Sequence, residues 1–360
     1  MTRALVVTTI HQADDPRIRE RTIGSLAVDF DVTYAAKLPA PSRVDDVEFI
    51  GLRGGRIRRW FTALRLMASR RFAVVSVHDP ELIPAGLLVR LLGRRVVVDV
   101  HEDVPAQIRH KSWVARPLRR PLAWLSHRLL RLASRFLSVS LAEPGYRGLF
   151  ARDHPVFPNY ASAGAMPDLL EAGAYVVYVG DVTEDRGALD MVAAVGRFDG
   201  PQRLVVVGRC PDALRERLAH EAVAAGIELT LTGNLPHGEA MERAAGATVG
   251  LSLLRRLPNE AGSMPTKVIE YLQVGIPVVA SDLPGTRRAV EGLDGVWLVP
   301  PEDSDAAARA IGAARDPDVR FRVQEQATDL RRSRTWPDAE VRAFYRDVAR
   351  GQGSGSRSDA

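Results

Sequence analysis

Lys267 is one of three lysines among 49 basic residues, and it stands in the segment Ser263-Met264-Pro265-Thr266-Lys267-Val268-Ile269-Glu270-Tyr271-Leu272. The other 46 basic residues are arginines, so a lysine here suits a compact, three-donor ammonium rather than a planar fork. Pro265 in the first turn, apolar Val268, Ile269 and Leu272, and Gly275 as a stop predict a helix. Lys267 then lies at the positive end of the helix dipole with Glu270 one turn further along, the unfavourable order for the helix alone. An anion at the helix start reverses that sign, because backbone N–H groups and Lys267 can both reach it. The plainer alternative is a surface lysine with a chance acidic neighbour.

Other loops carry residues of related chemistry. Tyr175-Val176-Val177-Tyr178-Val179 runs into Gly180-Asp181-Val182-Thr183-Glu184-Asp185-Arg186-Gly187, where Gly180 permits close backbone approach and Arg186-Gly187 opens the next helix with a charge suited to phosphate. Leu204–Val207 ends in Gly208-Arg209, and the run near Leu231 ends in Gly233-Asn234-Leu235-Pro236-His237. Glycine at a strand end is common punctuation and a lone arginine is usually solvated. Four such loops, counting the Lys267 helix, favour an anionic nucleotide over chance. In the first half, Val98-Asp99-Val100 leads to His101-Glu102-Asp103, a histidine beyond a strand followed by two acids. That suits a contact to a reacting group or a satisfied structural histidine. His11 lies just past the first strand and could line an acceptor site, and His78-Asp79 reads as a strand-end loop. No set of His, Cys and acidic residues has metal-site spacing, so no metal is expected.

Parallel strands must position these loops. Leu5–Thr9, Asp31–Ala35, Val74–Val77, Arg95–Val100 and Leu137–Ser140 read as strands in the first half. Tyr175–Val179, Leu204–Val207, Glu228–Leu231, Thr248–Leu253, Pro277–Ser281 and Gly295–Val299 do so in the second. Most are continuous apolar runs, as in parallel strands covered on both faces, and they alternate with helical patterns. The prediction is two doubly wound α/β domains, 1–160 and 173–335, joined through the Ala-, Gly- and Pro-rich stretch 158–173. Beyond them, a helix over 336–350 is expected to pack back toward the first domain, and 351–360 is a Gly/Ser-rich tail expected to be disordered. Ligands of such sheets bind beyond the carboxyl ends of the strands.

At 360 residues, two domains are the default, and 46% apolar with 26% charged residues fits a soluble globular chain. Cys210 is the single cysteine, which excludes an intrachain disulfide. The first apolar stretch, Ala4 to Ile10, is too short for a signal peptide, and no run is long enough to span a bilayer. A cytoplasmic location is expected. Charge is uneven: residues 1–160 carry 26 Lys and Arg against 15 Asp and Glu, and the remainder 23 against 29. The first half should therefore meet something anionic. Lys111–Phe136 sets Lys111, Arg116, Arg119, Arg120, Arg128, Arg131 and Arg135 among tryptophans and leucines, and Arg53–Arg71 adds seven arginines around Trp60 and Phe61. Basic amphipathic helices of this kind suit the anionic inner face of a cell membrane. Their apolar residues are expected to pack on the sheet, leaving the charged face outward. No nucleic-acid motif accompanies the charge.

Taken together, the motifs resemble retaining glycosyltransferases of family 4, the group 1 glycosyltransferases. The resemblance spans nearly the whole chain. It rests on Asp15-Pro16-Arg17-Ile18, His78-Asp79-Pro80-Glu81-Leu82-Ile83-Pro84, Val98 through Pro105, Pro158-Asn159, Tyr178-Val179-Gly180 with Arg186-Gly187, and Pro265-Thr266-Lys267 through Glu270-Tyr271 to Gly275-Ile276-Pro277-Val278-Val279-Ala280-Ser281. It implies a GT-B fold, two facing Rossmann-like parallel-sheet domains with an interdomain cleft. It also implies a metal-independent transfer of a hexose from a nucleoside diphosphate sugar to an acceptor hydroxyl with retained configuration. The acceptor would be a glycan, a lipid-linked saccharide or a small molecule, in cell-envelope polysaccharide, glycolipid or secondary-metabolite synthesis. By the same resemblance Arg186 and Lys267 hold the donor pyrophosphate, and Glu270 accepts from the ribose hydroxyls. Gly233, Asn234 and Leu235 border the base, the segment Met264-Pro265-Thr266 turns the backbone N–H groups of Met264 and Thr266 to phosphate, and His101 with Glu102 lies beside the transferred sugar.

The sequence departs from the family pattern at Gly262, where the first of two glutamates eight residues apart is expected, and at Asp181, where many relatives have Arg. Arg209 is the candidate substitute for that missing charge. A nucleotide-sugar epimerase or a glycan phosphorylase of the same fold, and a non-catalytic nucleotide-sugar-binding scaffold, are the alternatives. A nicotinamide oxidoreductase is disfavoured, because no G-x-G-x-x-G follows the first strand.

Overall fold

The computed structural model describes residues 1–40, 47–110, 114–162, 166–171, 173–256 and 264–352. Glu260, Gly262, Lys111, Trp113 and the tail from 353 onward lie outside the described residues. The chain forms two compact units, Met1–Ser162 with Trp336–Ala360, and Ala163–Thr335.

The first unit holds a six-stranded sheet of β1 (Thr2–Val7), β2 (Phe30–Lys37), β3 (Glu48–Leu52), β4 (Val74–Val77), β5 (Val96–Val100) and β6 (Ser138–Leu141), in the order β3-β2-β1-β4-β5-β6. Every pairing is parallel. Sequence reasoning missed β3. Glu-Phe-Ile-Gly-Leu is short, carries a charge and a glycine, and pairs only with β2 at the sheet edge, so it lacks the continuous apolar run of a central strand. β1 ends at Val7 rather than Thr9, which leaves Thr8 and Thr9 in the loop beyond it.

Alternate residues of β1 serve the two faces of the sheet. Leu5 and Val7 join a core with Met67, Ile83, Val89 and Leu130 from the helices Arg56–Ala68, Ile83–Leu91 and Arg116–Phe136. Ala4 and Val6 face Ile18, Trp336, Val341 and Tyr345, so the Asp338–Arg350 helix covers the opposite face. Trp336 Nε1 donates to Ser25 Oγ at 2.8 Å, and Ser25 Oγ donates to Asp338 Oδ1 at 2.6 Å.

The Arg116–Phe136 helix differs from expectation. Of its apolar residues, Ala123, Leu130 and Ala133 are buried, whereas Leu118, Leu122, Trp124, Leu125, Leu132 and Phe136 are 41% to 59% exposed. A 21-residue helix against a four-residue β6 can cover the sheet with only one narrow stripe, and the other apolar residues project outward.

The second unit repeats the topology with β7 (Val176–Val179), β8 (Arg203–Val207), β9 (Glu228–Gly233), β10 (Val249–Ser252), β11 (Val278–Ser281) and β12 (Val296–Val299), in the order β12-β11-β10-β7-β8-β9. Each sheet has the Rossmann order 3-2-1-4-5-6, whose direction reverses between its first and fourth strands. Beyond the carboxyl ends at that reversal, β1/β4 in one unit and β7/β10 in the other, a parallel sheet opens a crevice. Among the described residues, no helix is long and apolar enough to cross a membrane.

Candidate active site

At the β1/β4 reversal of the first unit, Asp79 is buried and organises the loop after β1. It accepts from Thr8 Oγ1 at 2.9 Å, from Thr9 Oγ1 at 2.9 Å and from the backbone N–H groups of Thr9 and Ile10. This delivers His11 to the strand edge, where its Nδ1 lies 3.3 Å from Asp15 Oδ2 and its Nε2 lies 3.5 Å from Asp79 Oδ1. From the end of β5, His101 brings its Nε2 to 3.1 Å from His11 Nε2, and its Nδ1 lies 3.2 Å from the Asp99 carbonyl oxygen. His101 and Glu102 help line a small pocket with His78, Pro80, Ile83 and Leu130.

Beneath these histidines is a buried ion pair. Arg17 Nε and Nη2 donate to the two carboxylate oxygens of Asp99 at 2.7 and 2.8 Å, and Ser140 Oγ adds a third bond at 2.9 Å. Burial disfavours the charged carboxylate, but Arg17's charge and hydrogen bonds outweigh it and hold Asp99 well below the usual range. His78 Nδ1 lies 3.4 Å from the same carboxylate. Burial nevertheless pushes its pKa down, Asp99 offsetting only part, so His78 is neutral. Its Nε2 meets Ser76 Oγ at 3.1 Å, and Ser76 meets Tyr345 of the C-terminal helix at 2.6 Å.

Spacing along the sequence did not reveal that ligand-type atoms of His78, Asp99 and His101 lie within 4.8 Å of one another. Both oxygens of Asp99 are engaged by Arg17, a cation already in place, so this donor set fits an ion-pair network rather than a metal ion.

In the second unit the strand-end glycines stand side by side. The Gly180 N–H donates to the Val207 carbonyl and the Gly208 N–H to the Gly233 carbonyl, each at 2.8 Å. A Cβ on Gly208, at φ +149°, would sit 1.9 Å from the Gly180 oxygen. One on Gly187, at φ +76°, would sit 1.9 Å from the Leu253 oxygen at the end of β10. Both positions thus require glycine, because the neighbouring backbone comes too close for any side chain.

Pro265 caps the Thr266–Gln273 helix, which directs Lys267 back toward β7: its Nζ lies 4.0 Å from the Tyr178 ring centroid and 3.0 Å from where a Cβ of residue 180 would be. Glu270, buried on the same helix, has an oxygen 3.8 Å from His237 Nε2. Tyr271, wholly buried, accepts from the Val179 N–H at 2.7 Å and so ties the helix to β7.

Arg186 is half-buried in the turn after β7, its N–H donating to Thr183. Arg209 is exposed, 3.5 Å from Asp181. Met264 and Leu235 pack partly buried on the core, Pro265 is buried, and Asn234 is exposed. The structure therefore brings Lys267 to Gly180, and Arg209 to Asp181. Tyr178 and Tyr271 stand within the motifs that carry the family resemblance, but the sequence assigned neither a role.

Residues 3–159 match the family described as "Glycosyl transferase 4-like domain" and residues 173–315 that described as "Glycosyl transferases group 1". The chain belongs to the group 1 glycosyltransferases. It is accordingly an enzyme that transfers a sugar. It is 22% identical to phosphatidyl-myo-inositol mannosyltransferase of Mycolicibacterium smegmatis over 88% of this chain and 80% of that protein. It is 31% identical to 2-deoxystreptamine N-acetyl-D-glucosaminyltransferase of Streptomyces fradiae over 40% of this chain, which spans about a third (35%) of that relative.

Among solved structures, this glycosyltransferase resembles sucrose-phosphate synthase from Thermosynechococcus elongatus (TM-score 0.77, 17% identity, 98% of this chain and 100% of that one). It also resembles Anabaena HepE in complex with UDP and glucose (TM-score 0.72, 12% identity, 98% and 100%). At these identities the structural likeness establishes the fold, two Rossmann-like parallel-sheet domains of the GT-B class.

Proposed function

We propose that the enzyme moves a hexose from a nucleoside diphosphate sugar to an acceptor hydroxyl with retention of anomeric configuration, and that its second unit binds the donor. The observation that carries this reading is Lys267, at the start of a helix and turned toward the glycine that ends β7 at the sheet's reversal. Lys267, Arg186 and the N–H groups of Met264 and Thr266 would stabilise the charge that develops on the leaving diphosphate, without a metal. Glu270 would accept from the ribose hydroxyls, Gly233 to Leu235 would border the base, and Arg209 would replace the cation absent at Asp181. In the first unit, His101 and Glu102 would face the transferred sugar. Attack on the same face, with a donor phosphate oxygen taking the acceptor proton, follows the family resemblance. The HepE complex with UDP and glucose supports a donor of this class.

Incubation with a panel of nucleotide sugars, following free nucleoside diphosphate and the anomeric signal of the product, tests the reading. One donor should release its diphosphate, faster with acceptor, and give a product of unchanged configuration. Isomerised donor with no release would make the protein an epimerase, and binding without turnover a scaffold.

The partner of the first unit's basic surface is, on this reading, an anionic bilayer, as a lipid-linked acceptor would require. Trp124, Leu125, Leu132 and Phe136 project from the Arg116–Phe136 helix between exposed Arg120, Arg128, Arg131 and Arg135. Each arginine near such a surface contributes about 1 kcal/mol. Sedimentation with phosphatidylglycerol vesicles should capture the protein, less so at high salt and not when Trp124 and Leu125 are both Ser. Equal capture by neutral phosphatidylcholine vesicles would remove the electrostatic part of this reading.

A further inference from the structure

We propose that His11 is a positioning residue for His101: the two imidazoles share one proton across their Nε2 atoms, His11 as cationic donor and His101 as neutral acceptor. This rests on the reading of His101 as the sugar-facing residue and adds a second histidine that the family resemblance does not assign.

The protonation pattern follows from what each neighbour can do. A backbone carbonyl only accepts, so His101 Nδ1, 3.2 Å from the Asp99 oxygen, carries a hydrogen. The neutral ring then has its lone pair on Nε2, and the 3.1 Å contact requires His11 Nε2 to donate. His11 Nδ1 faces Asp15 at 3.3 Å. Burial opposes ionisation of Asp15, but the hydrogen bond and charge of His11, with the Ile18 N–H, outweigh it and bring its pKa down to about 2. An ionised carboxylate only accepts, so His11 Nδ1 carries a hydrogen as well, and the ring is an imidazolium. Two protonated rings could not make this contact, since neither would offer a lone pair.

The surroundings sustain that charge. Asp79, from the loop after β4, lies 3.5 Å from His11 Nε2, and Glu102 adds its field from the loop after β5. Glu81 bonds Thr9 Oγ1, and Arg59 of the Arg56–Ala68 helix donates to the Thr9 carbonyl at 3.0 Å, both on the loop carrying His11. Arg17 is committed to Asp99, and His78 is neutral. Burial works against the His11 cation, but the Asp15 hydrogen bond and the charges of Asp79, Asp15 and Glu102 prevail, raising its pKa.

The sign is therefore fixed. The His11 cation keeps both contacts below its raised value, as long as His101 is neutral, and one of them is lost as pH rises through that value. A ligand hydroxyl that displaces the direct contact can accept from His11 and donate to His101, whereas a phosphate or carboxylate cannot donate. The pair is thus matched to a sugar hydroxyl.

Histidine-ring NMR titration of the full chain, read beside the pH profile of sugar transfer, tests this in wild type, Asp15→Asn, His11→Gln and His101→Ala. The His11 ring should titrate above the ordinary histidine range. Asp15→Asn should lower that value and move the alkaline fall of transfer to lower pH with it. His11→Gln, which keeps an N–H donor without a titrating charge, should retain partial transfer and lose that alkaline limb. A His11 ring titrating at or below the ordinary value, or an alkaline limb identical in all active variants, would overturn the shared-proton pair while His101→Ala remains inactive. Full transfer by His101→Ala would instead overturn the sugar-facing reading, and the role of His11 with it, even where NMR shows the raised value.

Discussion

Lys267→Ala should lower sugar transfer by about 10²- to 10³-fold, the usual effect of removing one preorganised donor from a developing negative charge. The loss should fall on turnover more than on folding. Lys267 is half-buried, and its helix is anchored by Val268, Ile269, Tyr271 and Leu272, all buried in the core. A cation at a helix start works against the dipole, so the variant's unfolding midpoint should be unchanged or slightly higher. Lys267→Arg should recover little, since the planar fork does not fit the space between the Tyr178 ring and Gly180 that the ammonium occupies. Arg186→Ala should act in the same direction. Rates of diphosphate release and thermal midpoints for the three variants give the comparison. Wild-type turnover in Lys267→Ala would leave the helix without the role assigned to it.

Arg17→Met should destabilise the first unit by about 3–5 kcal/mol, because it leaves the Asp99 carboxylate buried without its cation. The pair is held by two hydrogen bonds of 2.7 and 2.8 Å, and Arg17 also donates to the Phe157 carbonyl at 3.2 Å and stacks 5.4 Å from the Trp336 ring. Replacing both partners, as in Arg17→Met with Asp99→Leu, should restore much of the loss, since it removes the buried charge itself. The pH dependence separates this from lost packing. With Arg17 present, the depressed Asp99 value adds stability above the unfolded carboxyl pKa of about 3.9, which disappears as pH falls through the folded value. Without Arg17 the buried carboxyl favours its neutral form, so the gap between variant and wild type should narrow toward acid pH. Denaturant unfolding at pH 7 and pH 4 reads both effects. A gap that stays constant with pH would mean that Arg17 acts by packing alone.

The same residues show why part of the site could be read from sequence and part could not. Lys267, Gly180 and Gly233 announced themselves through residue type at a strand end or helix start, a local signal that survives without knowing the fold. The central strands were equally legible, because a parallel strand buried on both faces reads as an unbroken apolar run. β3 was not, since an edge strand with Gly51 in it has no such run. The Arg17–Asp99 pair joins residues 82 apart, and no spacing rule connects them. Its one sequence signal is an aspartate inside Val-Val-Val-Asp-Val, a charge that only a buried partner could sustain. His11 and His101 sit 90 residues apart, and their contact appears only once β1 and β5 lie in one sheet. The outward leucines of the Arg116–Phe136 helix were expected to be core, because a sequence pattern gives the angle between apolar residues but not how much of the helix the sheet can cover.

Calorimetric titration of UDP and GDP against UMP and GMP tests most directly the claim that cationic and backbone groups at the strand ends of the second unit receive a diphosphate. The wild-type enzyme should bind one diphosphate at least tenfold more tightly than its monophosphate, and Lys267→Ala should lose most of that preference while keeping its affinity for the monophosphate. A preference undiminished in Lys267→Ala, or none in the wild type, would contradict the account.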